Sequence, residues 1–104
     1  SGWIDVPPEP GTIVVNLGDC TQAWTNDRYR AAVHRVTPMA ERRRFSIPYF
    51  ANPPRAAIVA PLPELSGAGP RYRPFEWREF MAARAYDNFA DVGAEDTQVS
   101  DFRI

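Results

Sequence analysis

The residues best suited to chemistry lie between positions 34 and 46. His34 is the only histidine, and apolar Val33 and Val36 lie close to it in the chain. A neutral imidazole is a common metal ligand. If residues 44–50 are extended, Arg44 and Ser46 share one face, because side chains i and i+2 of a strand point the same way. A planar guanidinium with a hydroxyl beside it suits a carboxylate. The pattern suggests a metal ligand and a carboxylate-binding pair.

Plainer interpretations exist for the same residues. A lone histidine on an apolar face is most often a hydrogen-bonded core residue, and Arg44 could form a surface ion pair with Glu41 or Asp19. The run of arginines at 42–44 is typical of a nucleic-acid contact, but two solvated arginines flanking an inward-facing one explain it as well.

Composition excludes several classes of protein. The 104 residues carry 12 basic and 13 acidic groups, a net charge of −1, so no positive field attracts nucleic acid or a membrane surface. No apolar run approaches the length of a membrane span, and no signal peptide is recognisable. The single cysteine, Cys20, cannot form an internal disulfide, which favours a cytoplasmic location and a buried, unreactive thiol.

The alternation of short β-branched or aromatic segments with proline and glycine turns predicts a mainly β chain closed by one C-terminal helix. Strands are expected at 3–6, 12–17, 29–36, 44–50 and 56–60. Thr12–Leu17 is nearly all apolar and is therefore expected to be buried on both faces. Asp19 could cap a helical turn over Cys20–Trp24, and Asn26-Asp27 is a turn signal.

The C-terminal third of the chain has mostly loop and helix patterns in place of strand patterns. Residues 61–70 are rich in proline and glycine, which predicts a surface excursion without regular structure. A helix should follow Pro74, because an apolar stripe at i, i+3, i+4 spacing runs through Trp77, Phe80, Met81, Arg84 and Ala85. That stripe is more typical of packing than of partner binding. The polar tail 91–100 is expected to be mobile, although Phe102 and Ile104 could dock.

A series of short motifs is similar to a known family. The motifs, in order, are Val15-Asn16-Leu17-Gly18-Asp19, Thr25-Asn26, Tyr29, His34-Arg35-Val36 and Arg44-Phe45-Ser46. Together they resemble the C-terminal half of a 2-oxoglutarate/Fe(II)-dependent dioxygenase of the isopenicillin N synthase-like group, over about residues 3–84. Two departures, Asp27 in place of a frequent glycine and Ala31 in place of a frequent serine, are expected to matter little.

The resemblance implies a function and a fold. His34 would be the distal Fe(II) ligand, and Arg44 and Ser46 would hold the far carboxylate of 2-oxoglutarate. The reaction would use dioxygen to oxidise a C–H bond of a small-molecule substrate, and it would convert 2-oxoglutarate to succinate and carbon dioxide. The fold would be a jelly roll, the double-stranded β-helix, with residues 1–104 as the C-terminal part of the catalytic domain.

The chain lacks one expected motif, because the family's other two iron ligands form a His-x-Asp pair and this sequence contains none. The resemblance places that pair in an N-terminal part of the same enzyme. Two alternatives remain open: a non-enzymatic β-barrel interaction module without metal, and an isopenicillin N synthase-like oxidase in which Arg44 and Ser46 grip a substrate carboxylate. Without its partner strands, the chain by itself is expected to be inactive and could self-associate.

Overall fold

The regular structure lies mostly in the second half of the chain. The computed structural model describes residues 2–38, 41, 43–90 and 97–104. Their elements, in order, are helix α1 (Asp19–Trp24), strand β1 (Ile58–Val59), a 3-10 turn (Pro63–Leu65), strand β2 (Phe75–Glu76), helix α2 (Trp77–Ala90) and a 3-10 turn (Val99–Phe102). No helix in these ranges is long and apolar enough to cross a membrane.

Strands β1 and β2 form a two-stranded antiparallel sheet. Ile58 is opposite Glu76, and Val59 is opposite Phe75. Val59 is fully buried while Ile58 is exposed, so one face of the pair points into the core. The strand predicted at 56–60 is thus confirmed at Ile58–Val59.

The core is an aromatic cluster between the sheet, both α-helices and the C-terminal 3-10 turn. The Phe75 ring lies 4.3 Å from that of Phe102, and Phe80 meets Phe102 edge-on at 6.0 Å. Such tilted arrangements are preferred by aromatic rings. The buried side chains are Cys20, Ala23, Val59, Tyr72, Phe75, Trp77, Phe80, Val99 and Phe102.

Helix α2 confirms the predicted helix after Pro74. Trp77 and Phe80 of the predicted stripe are buried, and their rings lie 5.2 Å apart. Met81 is 38% exposed, so the buried face is narrower than the stripe. The interpretation of this stripe as a packing surface is confirmed for Trp77 and Phe80.

The C-terminal residues are part of the folded unit. Phe102 is buried, as docking requires, and its carbonyl accepts a hydrogen bond from the Arg73 N–H at 2.9 Å. Val99 is buried as well, which corrects the prediction of a mobile tail up to residue 100; residues 91–96 lie outside the described ranges. Ile104 remains 75% exposed.

Two local predictions are also corrected. The helical turn predicted over Cys20–Trp24 is confirmed as helix α1, but this helix begins at Asp19 with Gly18 as its N-cap, so Asp19 lies in the first turn and does not cap it. Its carboxylate lies 3.8 Å from Arg84 of α2, where the helix dipole also favours negative charge. The excursion at 61–70 contains a 3-10 turn, and the Leu62 N–H anchors it to the Trp24 carbonyl at 2.9 Å.

Of the predicted mainly β chain with a C-terminal helix, the described residues show the helix and one two-stranded sheet, and four of the five predicted strands are not formed. Residues 3–6, 12–17, 29–36 and 44–50 have no regular secondary structure, and Ile13, Phe45 and Ile47 are 89%, 88% and 97% exposed. The physical reason is that a β-branched segment becomes a strand only beside a partner that accepts its backbone hydrogen bonds. Among the described residues, no strand pairs with these segments.

We therefore expect the 104-residue chain to self-associate. Exposed apolar side chains on extended backbone recruit another copy, and burial stabilises the contact by about 25 cal/mol per Å². Light scattering at increasing protein concentration should show a rising mass. Ile47→Lys should reduce it, whereas Glu9→Lys, also at an exposed position, should not. A concentration-independent monomer would contradict the expectation.

Candidate functional site

His34 lies on the exposed extended segment that follows α1. Its Nδ1 is 3.0 Å from the carbonyl oxygen of Ala32, two residues earlier. In the tautomer with the proton on Nδ1, this nitrogen donates to the carbonyl, and Nε2 keeps its lone pair. Metal-bound histidines commonly donate their second nitrogen in this way. The ring is therefore arranged so that Nε2 can accept a metal ion.

Arg44 and Ser46 lie on a second exposed segment, and both side chains are open to solvent. Neither forms a hydrogen bond or ion pair with another described residue, so the alternative of an ion pair to Glu41 or Asp19 is not observed there. Arg43 is likewise exposed, and Arg42 lies outside the described ranges. Among the described residues, His34 forms no hydrogen bond with Arg44 or with Ser46.

Side chains of α1 and its C-terminal cap hold the segment that leads to His34. Gln22 Oε1 accepts a hydrogen bond from the Ala31 N–H at 2.8 Å, and the Thr25 hydroxyl accepts one from the Tyr29 N–H at 3.2 Å. These two hydrogen bonds attach residues 29–31 to α1 and its cap.

Gln22 is in turn fixed by a buried carboxylate. Its Nε2 donates to the Tyr72 hydroxyl at 2.9 Å, and that hydroxyl donates to Asp27 Oδ1 at 2.5 Å. Asp27 Oδ2 accepts from Arg103 at 2.6 Å and from Arg71 at 3.3 Å. The Asp27 side chain is only 2% exposed. These five residues, Gln22, Asp27, Arg71, Tyr72 and Arg103, are called the Asp27 hub below.

Charge and burial oppose each other in the Asp27 hub. Burial, the largest single influence, would raise the pKa of the Asp27 carboxyl, but the hydrogen bonds from Tyr72 and Arg71 and the charge of Arg103 together hold that pKa below its ordinary value. Burial and the hydrogen bond to Asp27 raise the pKa of the Tyr72 hydroxyl. The hub thus contains an ionised carboxylate and a protonated phenol at neutral pH.

Asp27 was the departure expected to matter little, and the structure corrects that expectation. Its φ of +70° lies in the left-handed region, where glycine is favoured and aspartate is tolerated better than most residues. Asn26, with φ +53°, shares the turn, so the predicted turn at Asn26-Asp27 is confirmed. The aspartate in place of the family's frequent glycine was the signal in the sequence that the side chain at position 27 makes specific hydrogen bonds.

Cys20 is buried in the core, as predicted. Burial first, and the nearby Asp19 charge second, raise the pKa of its thiol to about 12. A thiol with that pKa is almost wholly protonated at neutral pH and is a poor nucleophile or metal ligand. This agrees with its interpretation as a small apolar residue.

The residues present fit iron in part. A neutral imidazole with Nδ1 hydrogen-bonded is a suitable Fe(II) ligand, but the described residues contain no group of three or more His, Cys, Asp or Glu side chains able to hold a metal. His34 therefore fits as one ligand of a site that needs further ligands from other residues.

Comparison with known proteins identifies the family of the chain. Residues 1–53, which include His34, Arg44 and Ser46, match the 2OG-Fe(II) oxygenase superfamily. The chain is 43% identical over 83 residues to a gibberellin 3-beta-dioxygenase of Triticum aestivum and 45% identical over 82 residues to a gibberellin 2-beta-dioxygenase of Oryza sativa subsp. japonica. These matches cover 79% and 77% of the chain.

A third relative differs in the substrate that its name gives. The bi-functional coumaroyl CoA and feruloyl CoA ortho-hydroxylase of Ipomoea batatas is 41% identical over 80 residues, or 75% of this chain. The chain spans about a fifth of the length of these relatives, 22% of each. On the match over residues 1–53 and these similarities, the chain belongs to the 2OG-Fe(II) oxygenase superfamily.

Proposed function

We propose that this chain is the C-terminal part of the catalytic domain of a non-haem Fe(II)- and 2-oxoglutarate-dependent oxygenase that acts on a small molecule in the cytoplasm. The longer polypeptide that would contain it is called the complete oxygenase below. The observation that carries the proposal is the match to the family over residues 1–53, the range that holds His34, Arg44 and Ser46.

Each of the three residues has a role in the proposal. His34 would bind Fe(II) through Nε2, with Nδ1 held by the Ala32 carbonyl so that the ring keeps one tautomer. Arg44 would place its guanidinium fork on the far carboxylate of 2-oxoglutarate, and the Ser46 hydroxyl would donate a hydrogen bond to the same carboxylate. When bound, the iron would supply the reaction with dioxygen, in which one oxygen atom goes to the succinate formed with carbon dioxide from 2-oxoglutarate and the other is used to oxidise a C–H bond of the substrate.

The rest of the complete oxygenase would supply what the segments at 12–17, 29–36 and 44–50 lack. An N-terminal part would bring the His-x-Asp pair, which completes two histidines and one carboxylate around the iron. Its strands would pair with these exposed segments and form the jelly roll. The high exposure of Ile13, Phe45 and Ile47 supports this, because apolar side chains on extended segments are normally covered.

The similarity also bears on the substrate. The chain has 43%, 45% and 41% identity to relatives whose names give gibberellin or CoA-linked substrates. Nearly equal identity to enzymes named for different substrates supports a role for this segment in shared machinery. Residues that select the substrate would then lie mainly in other parts of the complete oxygenase.

Arg44→Lys in the complete oxygenase is expected to weaken 2-oxoglutarate binding although the charge is kept. Lysine lacks the planar fork, and a lost charge-assisted hydrogen bond costs about 1.5–3 kcal/mol, or roughly tenfold to over a hundredfold in affinity. Steady-state succinate production at varied 2-oxoglutarate measures the effect. Ser46→Ala should act in the same direction with a smaller effect.

The control for this experiment is Arg43→Lys, at the neighbouring exposed position. An apparent 2-oxoglutarate affinity that Arg44→Lys leaves unchanged would contradict the role of Arg44. Turnover of substrate without any succinate would instead favour an oxidase in which the pair holds a substrate carboxylate.

A further inference from the structure

The Asp27 hub joins two parts of the chain that are distant in sequence. Gln22 lies in α1 and Asp27 in the turn after it, whereas Tyr72 and Arg103 lie later in the chain and form an isolated antiparallel bridge. The proposed metal ligand His34 lies on neither part. It lies on the extended segment between them, three residues after Ala31.

One contact connects the hub to that segment. Gln22 uses both ends of its amide: Nε2 donates to the Tyr72 hydroxyl, and Oε1 accepts from the Ala31 N–H at 2.8 Å. Because the Tyr72 hydroxyl already donates to Asp27, it offers Gln22 a lone pair and therefore selects the amide rotamer that points Oε1 at Ala31. The orientation of Gln22 is thus set by the buried carboxylate.

A second contact fixes the same segment. The Thr25 hydroxyl donates to the Thr21 carbonyl at 2.7 Å and accepts from the Tyr29 N–H at 3.2 Å. With Tyr29 and Ala31 both held, the direction and the register of the extended backbone are set just before His34. The register matters because a shift of one residue turns each side chain to the opposite face.

We propose that Gln22 is a positioning residue for the iron ligand: oriented by Tyr72 and Asp27, it holds the backbone that aims His34 into the metal site. This rests on the proposed function of His34. Gln22 itself touches neither the metal nor the cosubstrate in this proposal, and acts through the backbone N–H of Ala31.

The first readout is backbone hydrogen exchange measured by NMR, in the 104-residue chain carrying Ile47→Lys and at concentrations where light scattering gives a monomer. Gln22→Met keeps the length of the side chain but removes both hydrogen-bonding ends. We expect the Ala31 amide to exchange roughly fivefold faster, the order expected for one lost hydrogen bond. Gln22→Glu retains an acceptor for Ala31 but cannot donate to Tyr72, so it should keep only part of the protection. Tyr72→Phe removes only the hydroxyl that orients Gln22 and should give an intermediate rate.

The second readout is Fe(II) affinity of the complete oxygenase, measured without turnover by anaerobic titration. Gln22→Met should weaken Fe(II) binding roughly tenfold, the lower end of the range for groups that orient a metal ligand. Relative to Gln22→Met, Gln22→Glu should restore part of the affinity, because it keeps the acceptor for Ala31 but loses the donor to Tyr72. The apparent affinity for 2-oxoglutarate should change less than that for Fe(II), because Arg44 lies on a different segment. Thr21→Val is the matched control, as its hydroxyl forms no hydrogen bond with another described residue.

The outcomes separate this inference from the proposed function. Unchanged Ala31 exchange in Gln22→Met overturns the inference, and so does faster exchange with unchanged Fe(II) affinity, since Gln22 would then support the fold only. A wild-type complete oxygenase that binds no Fe(II), or a His34→Ala variant that binds it equally well, overturns the proposed function and the inference with it. Faster exchange, weaker Fe(II) binding and partial rescue by glutamate together support the inference.

Discussion

His34→Ala in the complete oxygenase is expected to reduce turnover to background and to leave the fold intact. Alanine removes the imidazole that we propose as one of three protein ligands. Loss of a direct ligand should exceed the roughly 10–100-fold cost of altering a group that merely orients one. The fold should persist because the side chain is exposed and its hydrogen bond runs to Ala32, within its own segment.

The measurement is succinate formation at saturating Fe(II), with circular dichroism to verify the fold. Val33→Ala is the matched control, since Val33 is adjacent and 87% exposed. Full activity of His34→Ala under these conditions would refute the ligand role. Loss of activity in both variants would point to a general effect on the segment.

Asp27→Ala is expected to destabilise the 104-residue chain by about 3 kcal/mol, the largest stability effect predicted here. Roughly 2 kcal/mol comes from the lost contacts to Tyr72 and Arg103, discounted because Arg103 is 40% exposed. The remainder, about 1 kcal/mol, comes from placing alanine at φ +70°. Asp27→Gly removes the same contacts without the backbone cost and should destabilise by about 2 kcal/mol.

Urea unfolding followed by tryptophan fluorescence measures these differences, at concentrations where the midpoint no longer depends on dilution. Asp5→Ala, at an exposed aspartate, is the control and should be nearly neutral. Equal stability of Asp27→Ala and the wild type would contradict the role of the Asp27 hub in holding the fold.

The same carboxylate predicts a pH dependence. The folded-state pKa of Asp27 lies below its unfolded value, so its contribution is present above about pH 4 and is lost as the pH falls through the folded pKa. Asp27→Asn keeps the shape but cannot ionise. The stability difference between the wild type and Asp27→Asn should therefore be constant near neutrality and shrink in acid. If the stability difference between the wild type and Asp27→Asn stayed unchanged in acid, its cause would be the shape and hydrogen bonding of the side chain, and ionisation of Asp27 would not contribute.

The local predictions succeeded where short-range chemistry decides the outcome. The apolar spacing after Pro74 predicted helix α2, and Trp77 and Phe80 of its stripe are buried. The turn at Asn26-Asp27 was predicted equally well. Both follow from residues within a few positions of one another, because turns and amphipathic periods are local properties. The short strand at Ile58–Val59 and the burial of Cys20 were also predicted, although both depend on residues distant in the chain, such as Phe75, which pairs with Val59.

The predicted strands at 12–17, 29–36 and 44–50 failed for a reason that no local pattern reveals. Alternation and β-branching report that a segment suits a sheet, but a strand also needs a neighbour. The described part of this chain provides no strand to pair with them. The residue types therefore indicated that these segments suit a β-sheet. They form no strand in this structure because no neighbouring strand pairs with them.

By itself, the sequence determined the family of this protein, because the ordered motifs around His34, Arg44 and Ser46 survive as a linear pattern. Only the tertiary structure showed the Asp27 hub. The partners of Asp27 lie 44, 45 and 76 residues away, and folding brings them to one buried carboxylate. A carboxylate with so little contact with solvent is stable only when several donors converge on it, and that convergence is a property of the packed chain.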